Sequence, residues 1–243
     1  FNWDRPVYFA SSADASTYLG LEKYFYAEGL VYKLVPILAK PSRNPNSLGE
    51  INTSKMYENL LETFDYGNMD KPGILVDYYT RRTMTNNFRV QFSVLADTYA
   101  SEYELAKQKI EMLKQIQAQE GADPEEVVRT QIGNFKRSDI PAEIAASEAI
   151  MEANAAKVSE VLSFAMLMMP EENVPLGKVM PSFISAYYTV GDDANGMIYT
   201  DKLFDAYEEE MEFYLSLEPE FASLLITDMF DTYRGYFSVF QVN

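Results

Sequence analysis

The stretch "NWDRPVYFASSADASTYLGLEKYFYAEGLVYKLVPI", residues 2–37, decides how the chain is read. Within it "RPVYFAS" (5–11) and "LVYKLVP" (30–36) mix aromatic and β-branched residues with partial alternation, the pattern of two short strands. Between them "YLGLEKYFYAEG" (18–29) sets Leu21, Tyr24, Phe25 and Glu28 at helical spacing. It closes on Gly29, a residue suited to the left-handed position after a helix. The expectation is a strand-helix-strand unit whose two strands share one small sheet. "AKPSRNPNSLGE" (39–50) reads as loop, and Asn52 or Thr53 then caps a helix carrying Met56, Leu60, Leu61 and Phe64. The cluster "YGNMDKPG" (66–73) marks the expected boundary, leaving residues 1–75 as a small α+β unit.

Beyond that boundary the pattern turns helical. Phe88, Phe92, Leu95, Ala96 and Tyr99 form one amphipathic stripe. Ala106, Ile110 and Leu113 continue it, on the same helix bent near Ser101 or on a second one. "GADPEEVV" (121–128) predicts a helix start, with Asp123 as cap and Pro124 in the first turn. Further helices are expected from Pro141, from Pro181 to Gly191, over Leu203 to Tyr214, and over 219–240. Short connections between them imply antiparallel neighbours. The fold class is therefore mostly α, α+β overall, with 76–243 as an array of helical hairpins.

Tetratricopeptide units are helix pairs with small residues at the contact and large ones lining the stack. Leu95-Ala96-x-x-Tyr99 with Phe92 matches the first helix of such a unit, although Ala106 falls about two residues early. Tyr187, Gly191 and Gly196 have the separations of a second unit. An irregular helical bundle satisfies the same pattern. On the repeat reading, residues 118–158 are a helical insertion.

Composition narrows the chemistry. The chain has no Cys and no His, which removes disulfides, thiol nucleophiles, Cys/His zinc sites and the imidazole base of a Ser-His-Asp triad. Its formal charge is −17, of which residues 1–76 carry −2 and the rest −15. So acidic a body repels phosphate backbones and anionic headgroups, so no nucleic-acid partner is expected. No apolar run is long enough to span a bilayer; "VLSFAMLMMP" (161–170) ends at a proline. Phosphate-cradling glycine motifs are absent, and no cofactor is expected. "GDDANGMIYTD" (191–201) is close to a calcium loop, but Gly191 and Lys202 occupy positions that need carboxylates, so a tight turn is the better reading and no metal site is expected.

"NWDRPVYFA" followed by "YLGLEKYFYAEGLVYKLVPI" resembles the soluble C-terminal region of a bacterial family of multi-pass membrane proteins, originally a domain of unknown function. That family is similar to animal protein O-mannosyltransferases, which also end in tetratricopeptide-like repeats. "MPEENVP" (169–175), "MPSFISAYYTVG" (180–191) and "EEEMEFYLSLEPEF" (208–221) share the resemblance, and residues 118–158 show it least. It implies that the absent initiator methionine marks a piece of a larger polypeptide, whose transmembrane helices and catalytic acidic residues lie upstream. It also implies a place on the periplasmic side of the inner membrane, tied to the membrane only through those upstream helices.

The resulting expectation is a non-catalytic accessory domain of a membrane glycosyltransferase-like protein, with no catalytic residue in this chain. Its partners would be its own transmembrane portion and an acceptor polypeptide or partner protein. Ser93, Asp97 and Tyr188 are the candidate binding residues, since each projects off the apolar face of its hairpin. Two rivals stand beside it: a stand-alone glycan-acting enzyme using paired carboxylates, and a purely structural domain with an exposed apolar patch near its last helix.

Overall fold

The computed structural model describes residues 5–42, 44–119 and 123–239; Asn2 and Trp3 of the opening motif lie outside them. Aromatic packing organises the N-terminal part. Phe25 and Tyr32 stack with centroids 5.4 Å apart, and Tyr18 meets both edge-on. Around them β1 (Tyr8–Ala10), β2 (Phe25–Ala27), β3 (Val31–Leu34) and β4 (Glu50–Ile51) form a sheet of order β1-β3-β2-β4. Only the β2–β4 pairing is parallel.

The predicted helix over 18–29 is thus replaced by two short 3-10 turns and strand β2. Leu19 and Gly20 both take positive φ, 56° and 74°, which breaks any helix there. After them Phe25 and Ala27 are fully buried on one face, and this period of two overrides the 3.6 spacing of the apolar residues. Gly29, at φ 98°, turns the β2–β3 hairpin instead of ending a helix.

Helix α1 (Thr53–Glu58) is capped by the Asn52 side chain and runs on as a π-turn over Asn59–Thr63. Asn52 also donates to the buried Glu28 carboxylate at 2.9 Å, and Asn59 donates to the Glu28 carbonyl at 2.8 Å. These bonds tie the helix to the sheet, while Met56 and Leu60 enter the core of the helical region.

That region starts at Asp77, whose side chain caps α2 (Tyr78–Thr80). A π-turn over Arg81–Thr85 then leads into α3 (Asn86–Gln117), one unbroken helix where the sequence left a bend open. Helix α4 (Ile140–Met168) lies antiparallel to it: Phe92 meets Phe164 near one end and Lys109 pairs with Glu143 near the other. Helices α5 (Met180–Thr189) and α6 (Asp193–Ser216) form a tight hairpin through Gly191 at φ 78°. Asp192 caps α6, so the segment close to a calcium loop is a helix-helix turn. Gly196 faces the Tyr188 ring so closely that a Cβ would sit 2.9 Å from it. The expected last helix is broken at Leu225 into α7 (Pro219–Leu224) and α8 (Ile226–Val239).

The helix predicted to begin at Asp123 does not form. Asp123 accepts from Glu125 N in a local turn, and β5 (Val127–Thr130) pairs with β6 (Gly133–Lys136). The two valines and Phe135 favour strand, and Val128 and Phe135 pack on Ile110, Leu113, Ile116 and Ile140. Arg137 seals this end by donating to the Ile116 carbonyl at 2.8 Å. Residues 118–158 thus contain a β-hairpin before their helix. The chain as a whole is mostly helical with a small N-terminal sheet, an α+β fold.

The segment between α4 and α5 is held by Arg89, which is almost wholly buried. Its guanidinium donates to the carbonyls of Pro175 (2.6 Å), Val174 (2.7 Å) and Met169 (3.2 Å). Burial brings its pKa down to about 10, so it stays charged at neutral pH.

Two substitutions test this framework. Arg89→Met leaves three carbonyls without their donor and is expected to cost about 3 kcal/mol, read as a melting-temperature fall of roughly 6–12 °C. Gly49 has φ 70°, and a Cβ there would lie 2.0 Å from the Phe25 carbonyl oxygen. Gly49→Ala is therefore expected to lose at least about 2 kcal/mol by chemical denaturation.

Candidate functional site

A cleft of about 710 Å³ opens where the loop before β4 faces the helices. One wall comes from Lys40, Ser42, Asn44 and Pro45 of the loop, with Glu50 and Thr53 following. The other wall carries Asp97, Ser101, Glu102 and Glu104 of α3, with Ser185 and Thr189 of α5. Helical spacing explains that wall. Ser101 and Glu104 follow Asp97 by four and seven residues and share its face. Ser185 and Thr189 are likewise one turn apart on α5.

Asp97 is the anchor of this cleft. Its Oδ2 accepts a hydrogen bond of 2.7 Å from Asn44 Nδ2, bridging the two walls. Burial pushes the Asp97 carboxyl up to about 6, against the opposing pull of that hydrogen bond. On the loop side, Glu50 accepts the Lys40 backbone N–H at 2.9 Å, and Asn44 braces its own turn by accepting from Asn46 N at 2.8 Å.

The three residues singled out from sequence separate. Asp97 lies in the cleft. Ser93 is buried one turn earlier on α3 and donates to the Val90 carbonyl at 3.0 Å. Tyr188 turns toward α6, where its hydroxyl lies 3.4 Å from Thr200 Oγ1 and its ring covers Gly196. Sequence reasoning missed Asn44, Ser185 and Thr189. The Asn-Pro-Asn-Ser run at 44–47 and the hydroxyls one turn apart on α5 were the available signals.

The lining is chemically one-sided. Among the described residues, four carboxylates (Glu50, Asp97, Glu102, Glu104) stand against one ammonium, Lys40, and hydroxyls and amides supply the remaining polar groups. Among the described residues no aromatic side chain lines it, so it lacks the flat platform on which sugar rings stack. No group of three or more acidic side chains among the described residues is arranged to hold a metal ion. The lining thus offers hydroxyls, amides and a surplus of carboxylates.

The raised Asp97 pKa has a stability consequence with a definite sign. The folded state binds this proton more tightly than the unfolded chain, so the contribution is present below about pH 4 and is lost as pH rises through about 6. Asp97→Asn keeps an acceptor for Asn44 and removes the titration. The variant is expected to gain on the parent by up to about 3 kcal/mol between pH 4 and pH 7.5, measured as paired unfolding curves at both pH values. An equal difference at both would contradict the burial of this carboxyl.

No curated protein matches the chain, and no solved structure does. No helix among the described residues is long and apolar enough to cross a membrane. A family model described as TMEM260-associated domain 2 matches residues 1–55. The match falls on the stretch that carries the resemblance drawn from the opening motif and loosely fits a TMEM260/O-mannosyltransferase-like family. It also contains the loop wall of the cleft, Lys40 to Thr53.

Proposed function

We propose that this chain is a non-catalytic, extracytoplasmic accessory domain of a membrane glycosyltransferase-like protein, and that the cleft between loop 39–50 and helices α3 and α5 receives an acceptor polypeptide. The observation that carries the reading is the coincidence of the family-model match with one wall of the cleft. The lining supports a polypeptide over a glycan, because it offers hydroxyls, amides and carboxylates without an aromatic platform. In this reading α5–α6 is a tetratricopeptide-like pair, its close contact made by Gly196 under Tyr188. The 1–75 unit and the 76–243 helical domain then act as two jaws of one binding surface on the periplasmic face of the inner membrane.

A second reading has its own observation. Ile226, Phe230, Tyr233 and Phe237 recur along one stripe of α8 and are each about half exposed, with Phe221 and Leu224 exposed on α7. That stripe suits a structural role in which the helical end packs against the protein's own transmembrane portion.

Deletion of this region from the full-length protein, with membrane insertion verified, is expected to lower acceptor modification. Ser185→Trp places a bulky ring in the cleft from an exposed position and is expected to lower modification about tenfold, equivalent to ~1.4 kcal/mol of acceptor binding. Full modification by both variants would defeat the accessory reading. A defect caused by Phe230→Ser, with Ser185→Trp neutral, would favour the structural role.

A further inference from the structure

A second cleft, about 760 Å³, lies on another part of the helical region. It is bounded by the π-turn before α3, by the 174–179 segment, and by α6 and α8. Its character differs from the first. Tyr207, Phe213 and Tyr214 supply aromatic surface, and Arg81, Arg89 and Lys178 supply three cations in a chain of net charge −17.

The arginines are the unusual feature. Arg89 is nine-tenths buried and more, and although its terminal nitrogens bond three carbonyls, its Nε is buried with no partner. Arg81 is half-buried with its Nε likewise enclosed and unpartnered, and among the described residues no carboxylate pairs with its guanidinium. A partly desolvated guanidinium without an anion is costly in any protein. In one with 37 acidic residues it is conspicuous.

The three carboxylates of the cleft do not remove the vacancy. Asp231 pairs with Lys178, and Glu210 accepts from the Tyr214 hydroxyl at 3.1 Å. Asp228 faces Tyr214 and carries no ion pair among the described residues. Its charge and that of Glu210, whose partner is a neutral hydroxyl, oppose an incoming anion.

We propose that this cleft is an oxyanion site: the Arg81 guanidinium, backed by the charge of Arg89, takes a carboxylate or phosphate group whose apolar or planar body packs against Tyr207, Phe213 and Tyr214. Arginine suits the role because its planar fork matches two oxygens of either group. The site is separate from the acceptor cleft, and the proposal stands independently of the function assigned there.

The test uses the whole chain and two probes, inorganic phosphate and acetate, titrated at constant ionic strength while aromatic side-chain resonances are followed by NMR. Saturable shifts are expected at Tyr207, Phe213 and Tyr214, and the tighter of the two anions names the chemical source of the group. Arg81→Gln is expected to weaken binding at least about fivefold, Arg81→Lys less, and Asp228→Asn to strengthen it. Asp97→Asn, in the other cleft, is expected to leave it unchanged. The proposal is overturned if neither anion saturates, if the shifts map away from these rings, or if Arg81→Gln binds as the parent does.

Discussion

The buried guanidinium of Arg89 is the contact on which the helical region depends. Helices α4 and α5 are joined by a segment, residues 169–179, that crosses the start of α3 without regular structure of its own. Such a segment leaves carbonyls facing the interior, and an unpaired buried carbonyl is costly. Arg89 answers three of them from a single side chain, and Asn173 answers from the other side by donating to the carbonyls of Met69 and Lys71. The α3–α4 pair and the α5–α6 hairpin are thereby locked in one arrangement. Both clefts inherit it, because α5 forms a wall of the first and the 174–179 segment a wall of the second.

The two clefts divide the protein's polar chemistry. Where the loop of residues 39–50 meets α3, carboxylates outnumber cations and aromatic residues are missing from the lining among the described residues. Where α8 closes on α6, cations equal carboxylates among the described residues and tyrosine rings join the lining. Net charge does not account for the difference, since both lie against the same acidic helical body. Local placement does: Arg81 and Arg89 are eight residues apart on one continuous helical stretch and reach the same cleft. One molecule thus carries two clefts of different polar character.

Much of this was legible in the chain, and the failures have physical causes. The α3 stripe is visible because Phe88, Phe92, Leu95 and Ala96 are all buried, so burial and periodicity coincide. Gly191 marks the end of α5 through a positive φ that few other residues adopt, and Pro181 its start through a fixed helical φ and a missing N–H. Strand β2 was hidden, since a segment with Leu21, Tyr24 and Phe25 at helical spacing also contains the alternation Phe25–Ala27, and tertiary pairing with β3 chose the latter. The β5–β6 hairpin was hidden by Asp123 and Pro124, whose turn chemistry opens a hairpin as readily as a helix. Asp97 was found because it flanks the apolar stripe; Ser93, one turn earlier on nearly the same face, is buried where the helix has entered the core, a difference that periodicity does not register.

The first cleft escaped notice for a deeper reason. Its walls come from residues around 40–53, 97–105 and 185–189, and no local pattern links segments that far apart. What brings them together is the Asn52 and Asn59 anchorage on Glu28, which fixes the sheet, and the loop that follows it, against α1. Met56 of helix α1 and Leu60 of the π-turn after it are in turn buried in the core of α3 to α6. A buried carboxylate meeting an amide is therefore the hinge between the aromatic sheet and the helical body, and the bond between Asn44 and Asp97 closes the same joint from the solvent side. A cleft formed this way depends on the docking of the sheet on the helices, so a substitution at Glu28 should disturb the first cleft while leaving both the Phe25–Tyr32 stack and the Arg89 clamp in place.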